Sequence, residues 1–375
     1  MNQATAASLR VPFVDLHAQH LSIQDEIREA IDAVLADSAF IGGHYVSRFE
    51  EQFAAFTGAR HVMGVSSGTD ALILSLMSLE FKRGFEAIVP ANSFIATSEA
   101  VTHAGGTPLF CDVDPDNYLL DLDYAAQLVT SRTRVILPVH LYGQMADMHQ
   151  VRLFADKYDL VVIEDAAQAH GARYQGIGVG ELSAAATYSF FPAKNLGAYG
   201  DGGAISTNDD ALAEKIRRLR NHGAIQKYNH EVEGFNSRMD GIQAAILSVK
   251  LGYLATWTRQ RQAAAATYHQ SLEKMDLPLP HTTELERHVY HLYVIRINNR
   301  DTVRRKLSEA GISTGIHYPV ALPFLEAYRR QGNQPEAFPV VYRQMTELLS
   351  LPLYPEIQRD QIEYVAASLA KALNP

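Results

Sequence analysis

Leu160-Val161-Val162-Ile163-Glu164-Asp165-Ala166-Ala167-Gln168 places four apolar residues in a row, then two acids, then small residues and an amide. An exposed antiparallel strand alternates apolar and polar side chains, whereas an unbroken apolar run suits a strand covered on both faces, as in a parallel sheet between helices. Working outward, similar runs occur at 61–65, 87–89, 108–111, 135–139, 186–190 and 204–206, separated by amphipathic segments of helical length. The pattern predicts an α/β fold with a mostly parallel central sheet and helices on both faces.

The order of elements divides the chain in two. An Ala-rich segment from Arg238 to about Gln270 has apolar residues at helical spacing and carries the chain out of the sheet-bearing part. Beyond it, a strand-like stretch at 290–297, a helix over 300–310, the turn His317-Tyr318-Pro319 and a last helix over 360–373 read as a smaller C-terminal α+β unit. The expected domains are 1–250 and 251–375, and a chain of 375 residues with 47% apolar content can fill both cores.

A formal net charge of -9 leaves no broad basic surface for a nucleic-acid backbone or an anionic membrane, so neither is an expected partner. An anionic small substrate then needs locally placed Arg or Lys. No stretch reaches the apolar length that spans a bilayer, and residues 1–10 lack a basic head followed by an apolar run, which points to a cytoplasmic protein. The single cysteine, Cys111, follows Pro108-Leu109-Phe110 and reads as a buried strand residue.

In parallel sheets ligands collect beyond the carboxyl ends of the strands, and the residues there are polar in this chain. Ser66-Ser67-Gly68-Thr69-Asp70, between a strand and a helical pattern, offers free N–H groups, hydroxyls and a helix N-terminus to a phosphate; it fits an ordinary helix cap equally. Asp165 ends a doubly covered strand, where a carboxylate needs a cation or several donors, and a protonated pyridine nitrogen would meet that need. A helix cap is the plainer reading of it. A metal-binding turn lacks further ligands at suitable spacing, and no metal is expected.

Lys194 lies in Ser189-Phe190-Phe191-Pro192-Ala193-Lys194-Asn195-Leu196-Gly197, directly after a strand-like run and before Gly200-Asp201-Gly202-Gly203. A surface lysine is the common alternative, but an amine held among apolar groups loses its proton more readily and can attack an aldehyde. Ser189 could add a phosphate contact. Phe94 could stack on a pyridine face or simply fill core. His288 and His291 fall in a strand-like stretch that would place them on opposite faces.

These segments together resemble the DegT/DnrJ/EryC1/StrS sugar aminotransferases, within the aspartate-aminotransferase-like fold (type I) of enzymes that use pyridoxal 5'-phosphate (PLP). The resemblance runs from Pro12-Phe13-Val14-Asp15-Leu16 through Ser67-Gly68-Thr69-Asp70, Pro90-Ala91-Asn92-Ser93-Phe94, Glu164-Asp165-Ala166-Ala167-Gln168 and the Lys194 segment to Asn236-Ser237-Arg238-Met239-Asp240 and His317-Tyr318-Pro319. It implies Lys194 as the Schiff-base lysine, Asp165 under the pyridine nitrogen and Gln168 near the ring hydroxyl. Ser67, Gly68, Thr69 and Ser189 match the phosphate cradle. Asn236 matches a residue that reaches the cofactor phosphate of a neighbouring subunit, so a homodimer with shared active sites is implied. Arg238, His317 and Tyr318 match substrate-facing positions.

The implied reaction moves an amino group from L-glutamate to a keto sugar linked to dTDP or UDP. Asn195-Leu196-Gly197 with Gly200-Asp201-Gly202-Gly203 is similar to members that act on a 3-keto sugar, with a 4-keto sugar or a cyclitol as the alternative. A PLP-binding regulatory protein without turnover is the alternative from another class. Two departures, Gly84-Phe85-Glu86-Ala87 for the usual Gly-Asp-Glu-Val and His44 for the usual Pro, bear on a turn and on a loop near the substrate mouth.

Overall fold

Seven strands form one sheet: β1 (His61–Val65), β2 (Glu86–Pro90), β3 (Thr107–Cys111), β4 (Thr133–Ile136), β5 (Val161–Asp165), β8 (Ala185–Ser189) and β9 (Gly203–Thr207), in the order β1-β9-β8-β5-β4-β2-β3. The computed structural model describes residues 9–280, 282–283 and 285–373; residues 1–8, part of the stretch read above for a leader, lie outside it. All neighbours pair in parallel except β9, which runs antiparallel to β1 and β8. β2 and β9 are buried along their whole length, as apolar runs covered by helices on both faces should be.

β4 stops earlier than its apolar run suggested. Pro138 has no N–H to give a ladder, and beyond it only a single bridge, Val139 to Asp165, continues the pairing. The Pro138 carbonyl still accepts from the Asp165 N–H at 2.9 Å, which holds the carboxyl end of β5 in place. Cys111 is buried in β3.

Two short strands, β6 (Arg173–Tyr174) and β7 (Ile177–Gly178), join β10 (Glu286–Arg287) in a small sheet, and β11 (Tyr293–Arg296) pairs antiparallel with β12 (Leu348–Leu351). Helices Arg300–Glu309 and Arg359–Leu373 pack on that last pair, around Tyr293, Ile295, Leu307, Leu351 and Leu369. The strand expected at 290–297 is thus shorter. Tyr290 has φ +46°, a left-handed conformation that no strand continues through, so His288 and His291 lie outside it.

Helix Gly241–Leu272 crosses position 250 without a break. Leu247 and Leu254 belong to the core of the large sheet, whereas Ala264, Tyr268 and Leu272 belong to the second core. The chain also returns: Ala321, Leu322, Tyr328, Phe338 and Val341 pack against the large sheet beside Val89 and Val135, and Val11 packs in the second core.

Candidate active site

A cavity of about 460 Å³ opens at the carboxyl ends of β1, β5 and β8. One wall consists of the strand ends and their turns. After β1, Ser67 caps helix Gly68–Ser78: its hydroxyl accepts from the Asp70 N–H at 3.1 Å and its carbonyl from the Ala71 N–H at 3.0 Å. The helix therefore starts at Gly68, ahead of the apolar residues that announce it, and the opening amides of a helix have no carbonyl of their own helix to bond. Gly68 and Thr69 line the cavity there, beside Ser189 at the end of β8. The turn and the strand touch so closely that a Cβ at Gly68 would sit 2.7 Å from the Ser189 Cβ.

Asp165 closes β5 and is 5% exposed. Its Oδ2 accepts from the Thr97 hydroxyl at 2.7 Å, and its Oδ1 accepts from the Ala167 N–H at 3.1 Å. Thr97 in turn shares a 2.7 Å hydrogen bond with the Ser93 hydroxyl, so a buried chain of hydroxyls fixes the carboxylate.

Lys194 sits in the turn after β8, where its N–H bonds the Phe191 carbonyl at 2.8 Å. Lys194 is half-buried and lines the cavity, and burial pulls the amine down from its ordinary 10.5 to about 8, with Asp165 opposing the shift. The next residue, Asn195, donates to the Val289 carbonyl at 2.8 Å and meets His291 Nδ1 at 3.3 Å. The imidazoles of His291 and His317 are lowered by burial and by the nearby Lys194, His317 to about 4.

The opposite wall comes from distant segments. Gln168 accepts from the Tyr142 N–H at 2.7 Å and donates to the Tyr318 hydroxyl at 3.1 Å. The Tyr142 hydroxyl donates to the His317 carbonyl, while His317 Nδ1 meets the Ser350 hydroxyl at 2.8 Å and its ring stacks on Phe13. Phe94 stands at the mouth, 55% exposed, with its ring 6.0 Å from that of Tyr318.

Of the residues singled out in the sequence, Ser67, Gly68, Thr69, Phe94, Asp165, Gln168, Ser189, Lys194, His317 and Tyr318 all line this cavity. Asn236 and Arg238 do not. Asn236 is exposed and bridges Asn221, and Arg238 donates to Asn221 Oδ1 at 3.3 Å. Sequence reasoning missed Thr97, whose spacing within a helix carries no signal, and Arg261. This buried arginine lines the cavity and donates to the Tyr290 and Leu353 carbonyls at 3.2 and 3.0 Å. It looked like one of several Arg and Gln residues on an Ala-rich helix.

Among the described residues no group of three or more His, Cys, Asp or Glu could hold a metal, and no helix is long and apolar enough to cross a membrane.

Known proteins resemble the chain over nearly its whole length. It is 45% identical to a "Pleiotropic regulatory protein" of Geobacillus stearothermophilus, covering 97% of this chain and 98% of that one. It is 42% identical to a UDP-N-acetyl-3-dehydro-alpha-D-glucosamine 3-aminotransferase of Acidithiobacillus ferrooxidans, covering 100% of both. The crystal structure of S. venezuelae DesV in complex with a ketimine intermediate superposes with a TM-score of 0.95 at 41% identity, covering 98% of this chain and 99% of that one. The fold is the aspartate-aminotransferase-like type I expected from the sequence. With the lysine, the acid and the helix N-terminus gathered in one cavity, and with the family model of the DegT/DnrJ/EryC1/StrS aminotransferases matching residues 21–370, this chain belongs to that aminotransferase family.

Proposed function

We propose that this aminotransferase uses PLP, held by Lys194, to move an amino group from L-glutamate to C3 of a keto sugar linked to a nucleoside diphosphate. The observation that carries the reading is the convergence on one cavity of a lysine with a lowered amine, a hydrogen-bonded carboxylate and a helix N-terminus beside two serines. The Acidithiobacillus relative, named for amination at C3 of a UDP-linked sugar, supports the choice of substrate.

The residues fit the cofactor. Opening amides of helix Gly68–Ser78 with the Ser67 and Ser189 hydroxyls suit a phosphate, and the space a Cβ at Gly68 would need is already taken by Ser189. Asp165, held by two donors, keeps lone pairs for a pyridine N–H. Gln168 is suited to the ring hydroxyl and Phe94 to a ring face. When bound, PLP supplies an electron sink for the carbon that loses a proton. Lys194 would first hold the cofactor; once displaced, its neutral amine would take the proton from the substrate carbon and pass it to the cofactor carbon the lysine had occupied, a relay suited to an amine lowered to about 8.

Asn236 and Arg238 serve a neighbouring copy in this reading: Asn236 reaches the partner's cofactor phosphate and Arg238 an anionic group of the substrate, so the working unit is a homodimer in the cytoplasm. His317 and Tyr318 face the sugar.

The test is a panel of 3-keto and 4-keto nucleotide sugars with L-glutamate, following cofactor absorbance. Loss of the PLP band with glutamate and its return with a 3-keto sugar is the expected result. The name of the Geobacillus relative carries a second reading, a cofactor-binding regulator. A band that no amino donor changes would favour that reading.

A further inference from the structure

Lys250, on helix Gly241–Leu272, is 1% exposed, and its amine donates to the Gly197 carbonyl at 2.5 Å. The ammonium lies 5.1 Å from the Tyr199 ring centroid and 5.8 Å from that of Trp257; the carboxylate of Glu356 acts on it electrostatically, but the two form no direct ion pair among the described residues. A buried ammonium without an ion-pair partner is costly, and an apolar side chain of the same volume would fill this space more cheaply. Its retention calls for a reason beyond packing.

The carbonyl it holds belongs to the turn that carries Lys194. That turn is closed by the Lys194 N–H on the Phe191 carbonyl and by the Ala198 N–H on the Phe190 carbonyl, both at 2.8 Å. It folds so tightly that a Cβ at Gly197 would meet the Pro192 carbonyl oxygen at 2.2 Å. On one side Asn195 ties it to the Val289 carbonyl. On the other, Lys250 is the only side chain that bonds the Gly197 carbonyl among the described residues. Lys250 itself does not line the cavity.

We propose that Lys250 is a positioning residue for Lys194: its charge-assisted hydrogen bond to the Gly197 carbonyl pins the far end of the turn and keeps the Lys194 amine within the enclosed cavity. Arg and Lys donors bond more strongly to a neutral carbonyl than an uncharged donor does, which suits a single anchor on an otherwise backbone-held turn. The proposal rests on Lys194 being the reacting lysine, but its test does not.

The test measures the pH dependence of Lys194 modification by a small amine-directed reagent in the full-length, cofactor-free chain, read by peptide mass spectrometry. In Lys250→Met the turn loosens, water reaches the amine, and the midpoint for Lys194 should rise by about one pH unit toward that of an ordinary lysine. Lys250→Arg, which keeps charge and donors, should restore much of the shift, and the exposed control Lys274→Met should leave the midpoint unchanged. In the loaded enzyme, turnover of Lys250→Met should fall by about 10²-fold. Should Lys250→Met fail to fold, Lys250→Gln decides by the same midpoint. An unshifted Lys194 midpoint in a folded variant lacking the ammonium overturns the proposal, whether or not the chain aminates a sugar.

Discussion

The two walls of the cavity hold their side chains differently. On the sheet wall, Asp165, Ser189, Lys194 and the Ser67-Gly68-Thr69 turn sit where backbone leaves a strand end, so local bonds place them and remote side chains such as Thr97 only brace them. The facing wall draws on Phe13, Arg261, His291, His317, Tyr318 and Leu353, brought together from remote segments by side-chain bonds to carbonyls and hydroxyls. In the proposed reading the sheet wall carries the cofactor chemistry and the assembled wall shapes what meets it. Substitutions should therefore hurt turnover most on the first and selectivity most on the second.

Asp165→Asn would break the first wall hardest. Without a charge to keep the pyridine protonated, proton removal should slow by about 10³-fold while cofactor affinity changes far less. Rapid-mixing measurement of the glutamate half-reaction checks this, and near-normal turnover would remove Asp165 from its assigned place. Gly68→Ala should follow, because its Cβ drives the helix N-terminus away from Ser189. Cofactor affinity, read by absorbance titration, should fall by about 10²-fold.

The acid–base character of the sheet wall gives a third expectation. Lys194 titrates near 8 instead of 10.5, so the neutral amine accumulates as pH rises through 8. Capture of PLP by the cofactor-free chain should quicken by about tenfold between pH 7 and 9 and then level off. A lysine at its ordinary value would keep gaining beyond pH 10. The sign for stability is the same: between about 8 and 10.5 the unfolded chain binds more protons at this site than the folded one, so denaturant stability should increase with pH over that window. Lys250, also lowered to about 8 by burial, adds to the same trend.

The smallest effect is expected from the assembled wall. Tyr318→Phe removes the hydroxyl that accepts from Gln168, a loss of about 1 kcal/mol in a net hydrogen bond. Turnover should change by only a few-fold, while the preference between 3-keto and 4-keto substrates shifts. A large loss of cofactor binding instead would erase the distinction between the walls.

The same contrast explains what the sequence could and could not reveal. Apolar runs such as Leu160-Val161-Val162-Ile163 marked the strands because double burial leaves an unmistakable composition, and the polar residue after each run marked the sheet wall. Lys194 was legible because it follows a strand and precedes glycines. Arg261 and Thr97 were not, since each acts through a neighbour remote in sequence: Thr97 bonds Asp165 across 68 positions and Arg261 bonds Leu353 across 92. Tyr290 looked like part of a strand because an aromatic residue ahead of an apolar run gives no sign of a left-handed backbone. The family resemblance assigned Asn236 to a neighbouring copy but set Arg238 at the substrate, and the absence of Arg238 from its own chain's cavity was not legible in the sequence.

In the proposed reaction one particular amine captures the cofactor. Lys194 and Lys250 are both buried enough to be lowered to about 8, but only Lys194 lines the cavity. Reduction of the PLP-loaded protein with borohydride, followed by peptide mapping, should place a single label on the peptide containing Lys194. A label on Lys250 or any other lysine, or none at all, would contradict the account.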